Sequence, residues 1–145
     1  RSIRFTILGS DTLVENDTIV VAAGGGGIPV VGQDHEGVEA VIDKDFASEK
    51  LADLVHADLF VVLTGVDNVY INFGKENQEK LERVTVSQMK QYINEDQFAK
   101  GSMLPKVEAA IDYVEKNKDS KAVITSLENL SNFGQGIVGT EIVAG

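Results

Sequence analysis

The 145 residues contain no cysteine. Disulfides and thiol chemistry are therefore excluded, and the cytoplasm is a compatible compartment. Histidine is nearly absent as well, with only His35 and His56. Two histidines without a neighbouring cysteine make a structural zinc site a poor reading, and no metal-ligating residue is assigned. Each histidine reads as a loop or helix-surface residue, because a general base must first show suitable geometry. No apolar run approaches the roughly 18 residues of a membrane span, and no signal peptide is visible. Basic residues are outnumbered, 13 against 23 acidic ones, for a formal charge of −10. That balance argues against nucleic acid and anionic membranes as partners.

What is present fits a single domain, residues 1–145, long enough to bury a real core. The chain opens at Arg1 rather than methionine and enters an apolar-rich stretch at once, Ile3-Arg4-Phe5-Thr6-Ile7-Leu8. A processed or truncated start within a longer protein is the expectation.

Strand-like and helix-like runs alternate. Thr18–Ala23, Leu59–Thr64, Ala122–Thr125 and Glu141–Ala144 read as strands. Continuous apolar runs of this length suit strands covered on both faces. Val69–Asn72 reads as a short hairpin strand, and residues 74–80 as a charged surface loop. A first helix is predicted from Phe46 to Val55, with Ala47, Leu51, Leu54 and Val55 on its inner face. A second begins at Thr85-Val86-Ser87-Gln88, a Thr-x-x-Gln capping box. A third carries Val107, Ala110, Ile111 and Val114 at i, i+3, i+4 and i+7. This alternation predicts an α/β fold with a largely parallel sheet. Ligands in such sheets bind beyond the C-terminal ends of the strands. The glycines after Ala23, the Thr64–Asp67 segment and Thr125-Ser126 all fall at predicted strand ends.

Three constellations suggest chemistry. Gly101-Ser102-Met103-Leu104-Pro105-Lys106 leads into the third helix, with Pro105 suited to its first turn. Lys106 thus stands at a helix start, where free N–H groups and the dipole favour anions. It reads as a hand for phosphate, or as an ordinary surface lysine. Gly24-Gly25-Gly26-Gly27-Ile28-Pro29 allows close backbone approach, and is preferred as such over a mere turn. It is neither a P-loop nor a dinucleotide fingerprint. Finally, Asp43-Lys44-Asp45 immediately precedes a helix. Either aspartate could cap it, but two flanking a lysine exceed what a cap requires. Asp45 between Lys44 and Lys106 could orient both amines. Two fixed lysines and Mg²⁺ on the phosphates are what phosphoryl transfer needs, since positioning and charge neutralisation dominate it.

In order along the chain, Ala22–Val30, Val41–Asp45, Leu63-Thr64-Gly65-Val66-Asp67, Gly101–Lys106, Ile124–Leu127 and Gly139-Thr140 resemble the carbamate kinases of the amino acid kinase superfamily. The resemblance runs from about Leu13 to the end and corresponds to a C-terminal, nucleotide-binding half. It implies a three-layer α/β/α sandwich around a mainly parallel sheet. It also implies reversible phosphoryl transfer between ATP and carbamate, with carbamoyl phosphate and ADP giving ATP in arginine fermentation. Carried over, Lys106 contacts the transferring phosphate, Lys44 is the lysine characteristic of the carbamate branch, and Asp45 is the organising carboxylate. Gly24, Gly25, Gly26 and Gly27 line the phosphoryl-transfer side. Thr64, Gly65, Asp67, Tyr70, Gly101, Ser102 and Met103 border the nucleotide, ATP or ADP with Mg²⁺. Tyr70 and Met103 have an equal claim to be packing residues. The family's N-terminal half, with a glycine-rich phosphate loop and most of the acceptor pocket, has no counterpart here. It also implies a homodimer in the full-length enzyme, and an uncovered sheet edge and apolar face without that half. Another amino acid kinase, or a non-catalytic nucleotide-binding fragment, is the alternative.

Overall fold

The computed structural model describes residues 10–135 and 138–145. The early apolar stretch from Ile3 to Leu8 lies outside them. After a short helix, α1 (Ser10–Glu15), and a two-residue hairpin, β1 (Val30–Val31) with β2 (Glu36–Gly37), the chain settles into a regular body. There α2 (Lys44–Leu54) leads to β3 (Leu59–Thr64), then to β4 (Val69–Ile71), β5 (Glu79–Leu81) and β6 (Arg83–Thr85). Next come α3 (Val86–Asn94), α4 (Met103–Lys116), β7 (Lys121–Ser126), a 3-10 stretch (Glu128–Gln135) and β8 (Thr140–Val143).

The main sheet has the order β3-β7-β8-β6. β3 runs parallel to β7 and β6 parallel to β8, while β7 and β8 are antiparallel. β4 and β5 form a separate antiparallel pair. The expected α/β class with a largely parallel sheet is what forms. β7 is central, and Ala122, Val123 and Ile124 are completely buried. α4 lies against it through Val107, Ala110, Ile111 and Val114, the face predicted from spacing, all buried. The Tyr113 hydroxyl donates to the carbonyl of Ala57, and its ring packs 5.3 Å from Phe60. Those contacts bind α4 to the turn before β3. α3 starts with the predicted capping box: the Gln88 N–H donates to Thr85 Oγ1 at 3.2 Å, and the Thr85 N–H to Gln88 Oε1 at 2.9 Å.

Four expectations need correction. Thr18–Ala23 forms no strand; Ile19 and Val21 are 95% and 97% exposed. The run has β-propensity, but no neighbouring strand among the described residues pairs with it. β3 is not covered on both faces. It is an edge strand with Phe60 and Val62 buried and Leu63 exposed, so it alternates. The inner face of α2 is only partly the expected one: Ala47 is buried as expected, but it is joined by Asp45, Glu49 and Ala52, whereas Leu51, Leu54 and Val55 are half-buried. Finally, the charged segment 74–80 is not all loop, because Glu79 already pairs with Ile71 in the small hairpin.

Candidate active site

The site is built where two helices begin. Asp43 caps α2, its Oδ1 accepting from the Asp45 N–H at 2.7 Å. The cap is therefore Asp43, which leaves the Asp45 carboxylate for another task. Asp45 is buried, and its two oxygens accept from Lys106 Nζ at 2.9 and 3.2 Å. Lys44 Nζ stands 3.6 Å from Asp45 Oδ2. The three residues read as a chemical unit in the sequence are thus one cluster in space, 61 residues apart along the chain.

The two amines differ in kind. The Lys106 side chain is 12% exposed and held by both carboxylate oxygens, while that of Lys44 is 67% exposed. A largely buried pair of this type contributes little net stability, because desolvation offsets the attraction. Its value is geometric: one amine is fixed and the other can reach outward.

α4 begins at Met103, three residues before Lys106, so Lys106 closes the first turn rather than opening it. Pro105 sits in that turn, where its missing N–H costs nothing. Ser102 holds the N-cap place without a side-chain hydrogen bond to the helix. Of the two helix starts in the cluster, α2 is closed by its own aspartate and α4 is not. At α4 the Leu104 N–H is taken by the Ala99 carbonyl at 3.0 Å and Pro105 has none, so what this helix start offers an anion is chiefly the Lys106 amine.

The glycine loop comes to the same place. A Cβ on Gly26 would stand 1.5 Å from the carbonyl oxygen of Ile42, the residue before Asp43. Only glycine permits that approach. The close approach expected of this loop is therefore real, but at Gly26 it is made to the chain's own backbone. Gly27 has φ +90°, which also favours glycine. Gly24, Gly25 and Gly27 have open space where a side chain would be.

A second group lies at the C-terminal ends of β3 and β7, where Thr64 pairs in register with Ser126. Gly65 follows β3, and Asp67 comes two residues later. Ser126 Oγ donates to Asp67 Oδ1 at 2.6 Å, and Asn129 Nδ2 to the same oxygen at 3.1 Å. Asn129 Nδ2 also reaches Thr125 Oγ1 at 3.2 Å. Asn129 was not singled out from sequence. The only signal for it is its position three residues beyond Ser126, at the start of a helical turn. Tyr70 lies on β4 with its ring 5.9 Å from that of Phe73. Met103, at the first position of α4, packs against the core, which favours the packing role for it. Gly101 and Ser102 form the exposed turn that delivers α4. His35 and His56 are both exposed with positive φ, in keeping with the loop and surface roles expected of them.

A cavity of about 1350 Å³ lies between the β1–β2 arm and α2, lined among others by Val31, His35, Asp43, Phe46, Glu49 and Lys116. It contains neither Lys44, Asp45 nor Lys106, so it adjoins the cluster without enclosing it.

Comparison with known proteins decides the family. Residues 9–126 match the amino acid kinase family. The chain belongs to that family. Carbamate kinase 1 of Enterococcus faecium is 59% identical over 133 residues, which is 91% of this chain but 43% of that protein. The carbamate kinase of Oenococcus oeni is 60% identical over 134 residues, 91% of this chain and 42% of that protein. Among solved structures, carbamate kinase from Giardia lamblia bound to AMP-PNP superposes with a TM-score of 0.85 at 37% identity, over 93% of this chain and 48% of that one. The amino acid kinase chain described here thus spans less than half the length of the relatives it matches. Its α/β fold is the one those kinases share.

Within the described residues, no cluster of three acidic or imidazole groups could cage a metal ion. The Asp45 oxygens are already engaged by amines.

Proposed function

We propose that this chain is the nucleotide-binding part, corresponding to a C-terminal half, of a carbamate kinase. It catalyses reversible phosphoryl transfer, carbamoyl phosphate plus ADP giving ATP plus carbamate. The observation that carries the reading is the trio itself: two lysine amines on one buried carboxylate, at the starts of α2 and α4, one amine fixed and one mobile. The identity to carbamate kinases of two bacteria supports the choice of acceptor.

In this reading the transferring phosphoryl group sits beside Lys106 in the first turn of α4. Lys106 donates to its oxygens and neutralises the charge that builds up between donor and acceptor. Lys44 swings to the acceptor side and holds carbamate oxygen against the phosphorus. Asp45 keeps both amines from drifting, so their order costs little when substrate arrives. No general base is required, because the acceptor is already an anion. Gly24, Gly25, Gly26 and Gly27 border the phosphates. Thr64, Gly65, Tyr70, Gly101, Ser102 and Met103 border the nucleotide with Asp67, whose carboxylate is steadied by Ser126 and Asn129. The full-length protein is proposed to be a cytoplasmic homodimer that works on small molecules, with no nucleic acid or membrane partner.

The test is ATP formation from carbamoyl phosphate and MgADP. It is run with this chain and with a chimera in which the chain replaces the matched part of the E. faecium enzyme. The chimera should turn over, and Lys106→Ala should cut its rate by about 10²–10³-fold, with far less effect on ADP binding. Silence in the chimera with ADP still bound would transfer the assignment to another acceptor or to a non-catalytic nucleotide module. Unchanged turnover in Lys106→Ala would remove the lysine's role.

A further inference from the structure

α2 meets α4 along an unusual seam. The apolar contribution of α2 to its buried face is Ala47 and Ala52, both small. The rest is polar. Asp45 reaches Lys106 at the start, Glu49 Oε1 accepts from Lys116 Nζ at 2.7 Å, and Asp53 Oδ1 accepts from Asn117 Nδ2 at 3.3 Å. The order of these pairs shows that the two helices run the same way. Asp45, Glu49 and Asp53 are four residues apart and share one stripe of α2.

Glu49 is the informative member. It is 4% exposed, yet the phosphate chemistry above gives it no task. A buried carboxylate is costly unless paired, and a well-packed apolar residue would serve stability at least as well. Its charge is met by Lys116, whose amine remains half exposed. Burial acts to lower the Lys116 pKa, but the hydrogen bond and charge of Glu49, with Asp112 and Asp53 nearby, outweigh it and raise the value. The two alanines and the half-buried Phe46, which packs on the core, set the register of α2 on α4 only loosely. A directional ion pair one turn beyond Asp45 sets it more tightly.

We propose that Glu49, acting through Lys116, is a positioning residue that sets the register of α2 on α4 so that Asp45 meets Lys106. The proposal rests on the reading of Asp45 and Lys106 as phosphoryl-transfer residues. A shift of one ångström in such a pair is enough to cost about 10²-fold in rate.

The experiment uses the same chimera, with Glu49→Gln as the main variant and Lys116→Arg as the conservative one. Two quantities are read. The first is the acylation rate of Lys106 by an amine-reactive ester, followed by mass spectrometry, with Lys121 on the sheet as internal control. The second is kcat and KM for ADP. In Glu49→Gln, Lys106 should become severalfold more reactive with Lys121 unchanged. Its kcat should fall by about tenfold or more with KM within about twofold. Lys116→Arg should keep both near the parent values. If Glu49→Gln fails to fold, Lys116→Met probes the same contact from its exposed side with the same expectations. Unchanged Lys106 reactivity, or an equal rise at Lys106 and Lys121, would overturn the proposal, the second outcome marking general loosening. A parent chimera without turnover would count against the carbamate kinase reading alone, because Lys106 reactivity still decides the positioning role.

Discussion

Thr18–Ala23 and Leu59–Thr64 are built from the same kind of residue, yet one is a strand and the other is not. Ile19 and Val21 stand almost fully in solvent, while Phe60 and Val62 are buried beneath α4 and beside β7. The difference is not propensity. β3 has a parallel neighbour along all six residues and a helix to cover one face. The earlier run has neither among the described residues. A β-branched sequence states a preference for a pleated, half-covered surface, and the surroundings decide whether one exists. Among the described residues β3 is paired on one side only, and Ile28 and Val41 are also exposed. Both regions thus leave strand edge or apolar surface uncovered by the described residues.

That contrast can be broken in several ways. The largest effect is expected in the ordered body, at the site. Asp45→Asn should lower turnover of the chimera by about 10²-fold through misplaced amines, with the fold retained. Asp43 carries the cap, so a loss of thermal stability without a loss of turnover would mean that Asp45 is purely structural. Next in size is Thr140→Val in the body's core. Thr140 Oγ1 accepts from the Val69 N–H at 2.8 Å and donates to the Leu81 carbonyl at 2.5 Å. Removing it strands the buried Val69 N–H, while the Leu81 carbonyl keeps the Asn68 amide at 2.9 Å, at a cost of about 1–3 kcal/mol in urea unfolding. A neutral result would show that this region relaxes as freely as the arm.

The sharpest test of the comparison is Val21→Thr, made twice. In this chain it should change stability by no more than about 0.5 kcal/mol. In the chimera, where the segment gains cover, it should cost about 1–2 kcal/mol. Equal effects in both settings would refute the account of Thr18–Ala23 as a strand waiting for neighbours. The smallest effect belongs to Asp53. The Lys50 hydrogen bond holds its carboxyl below the usual range, against a desolvation that raises it, with Asn117 and the charges of Lys50 and Lys116 assisting. A depressed carboxyl stabilises the fold above its ordinary value of about 3.9 and loses that contribution as pH falls through the lower folded value. Because the Asp53 side chain is 24% exposed and its Lys50 pair lies at the surface, Asp53→Asn should cost only a few tenths of a kcal/mol at neutral pH. The gap in melting temperature should narrow as pH falls below the ordinary carboxylate range, and a gap that stays constant with pH would exclude the linkage.

Much of the site was legible because its chemistry is local in logic though distant in sequence. Two lysines near a phosphate need a carboxylate, and the Asp-Lys-Asp run offered one. The α4 face and the Thr85–Gln88 box follow from spacing alone, since each is settled within one or two turns. What was not legible depends on neighbours. The inner face of α2 was misjudged because its partner is a polar seam, so the leucines that spacing favours turn half outward. Asn129 has no pattern of its own and gains meaning only when Asp67 and Ser126 come together. Thr18–Ala23 fails as a strand because no described strand pairs with it.

The trio at the helix starts leaves two ammonium groups to share one carboxylate, a local excess of one positive charge in 145 residues that carry −10. An approaching polyphosphate therefore meets two fields of opposite sign. Within the screening length of about 8 Å in physiological salt, the acidic surface around the cluster repels it. Over the last few ångströms the two amines attract it. The barrier to encounter and the strength of the bound state are thus set by different residues, so association rate and affinity can be tuned separately. On the proposed function, acidic side chains around the cluster would govern the first, and Lys44 and Lys106 the second.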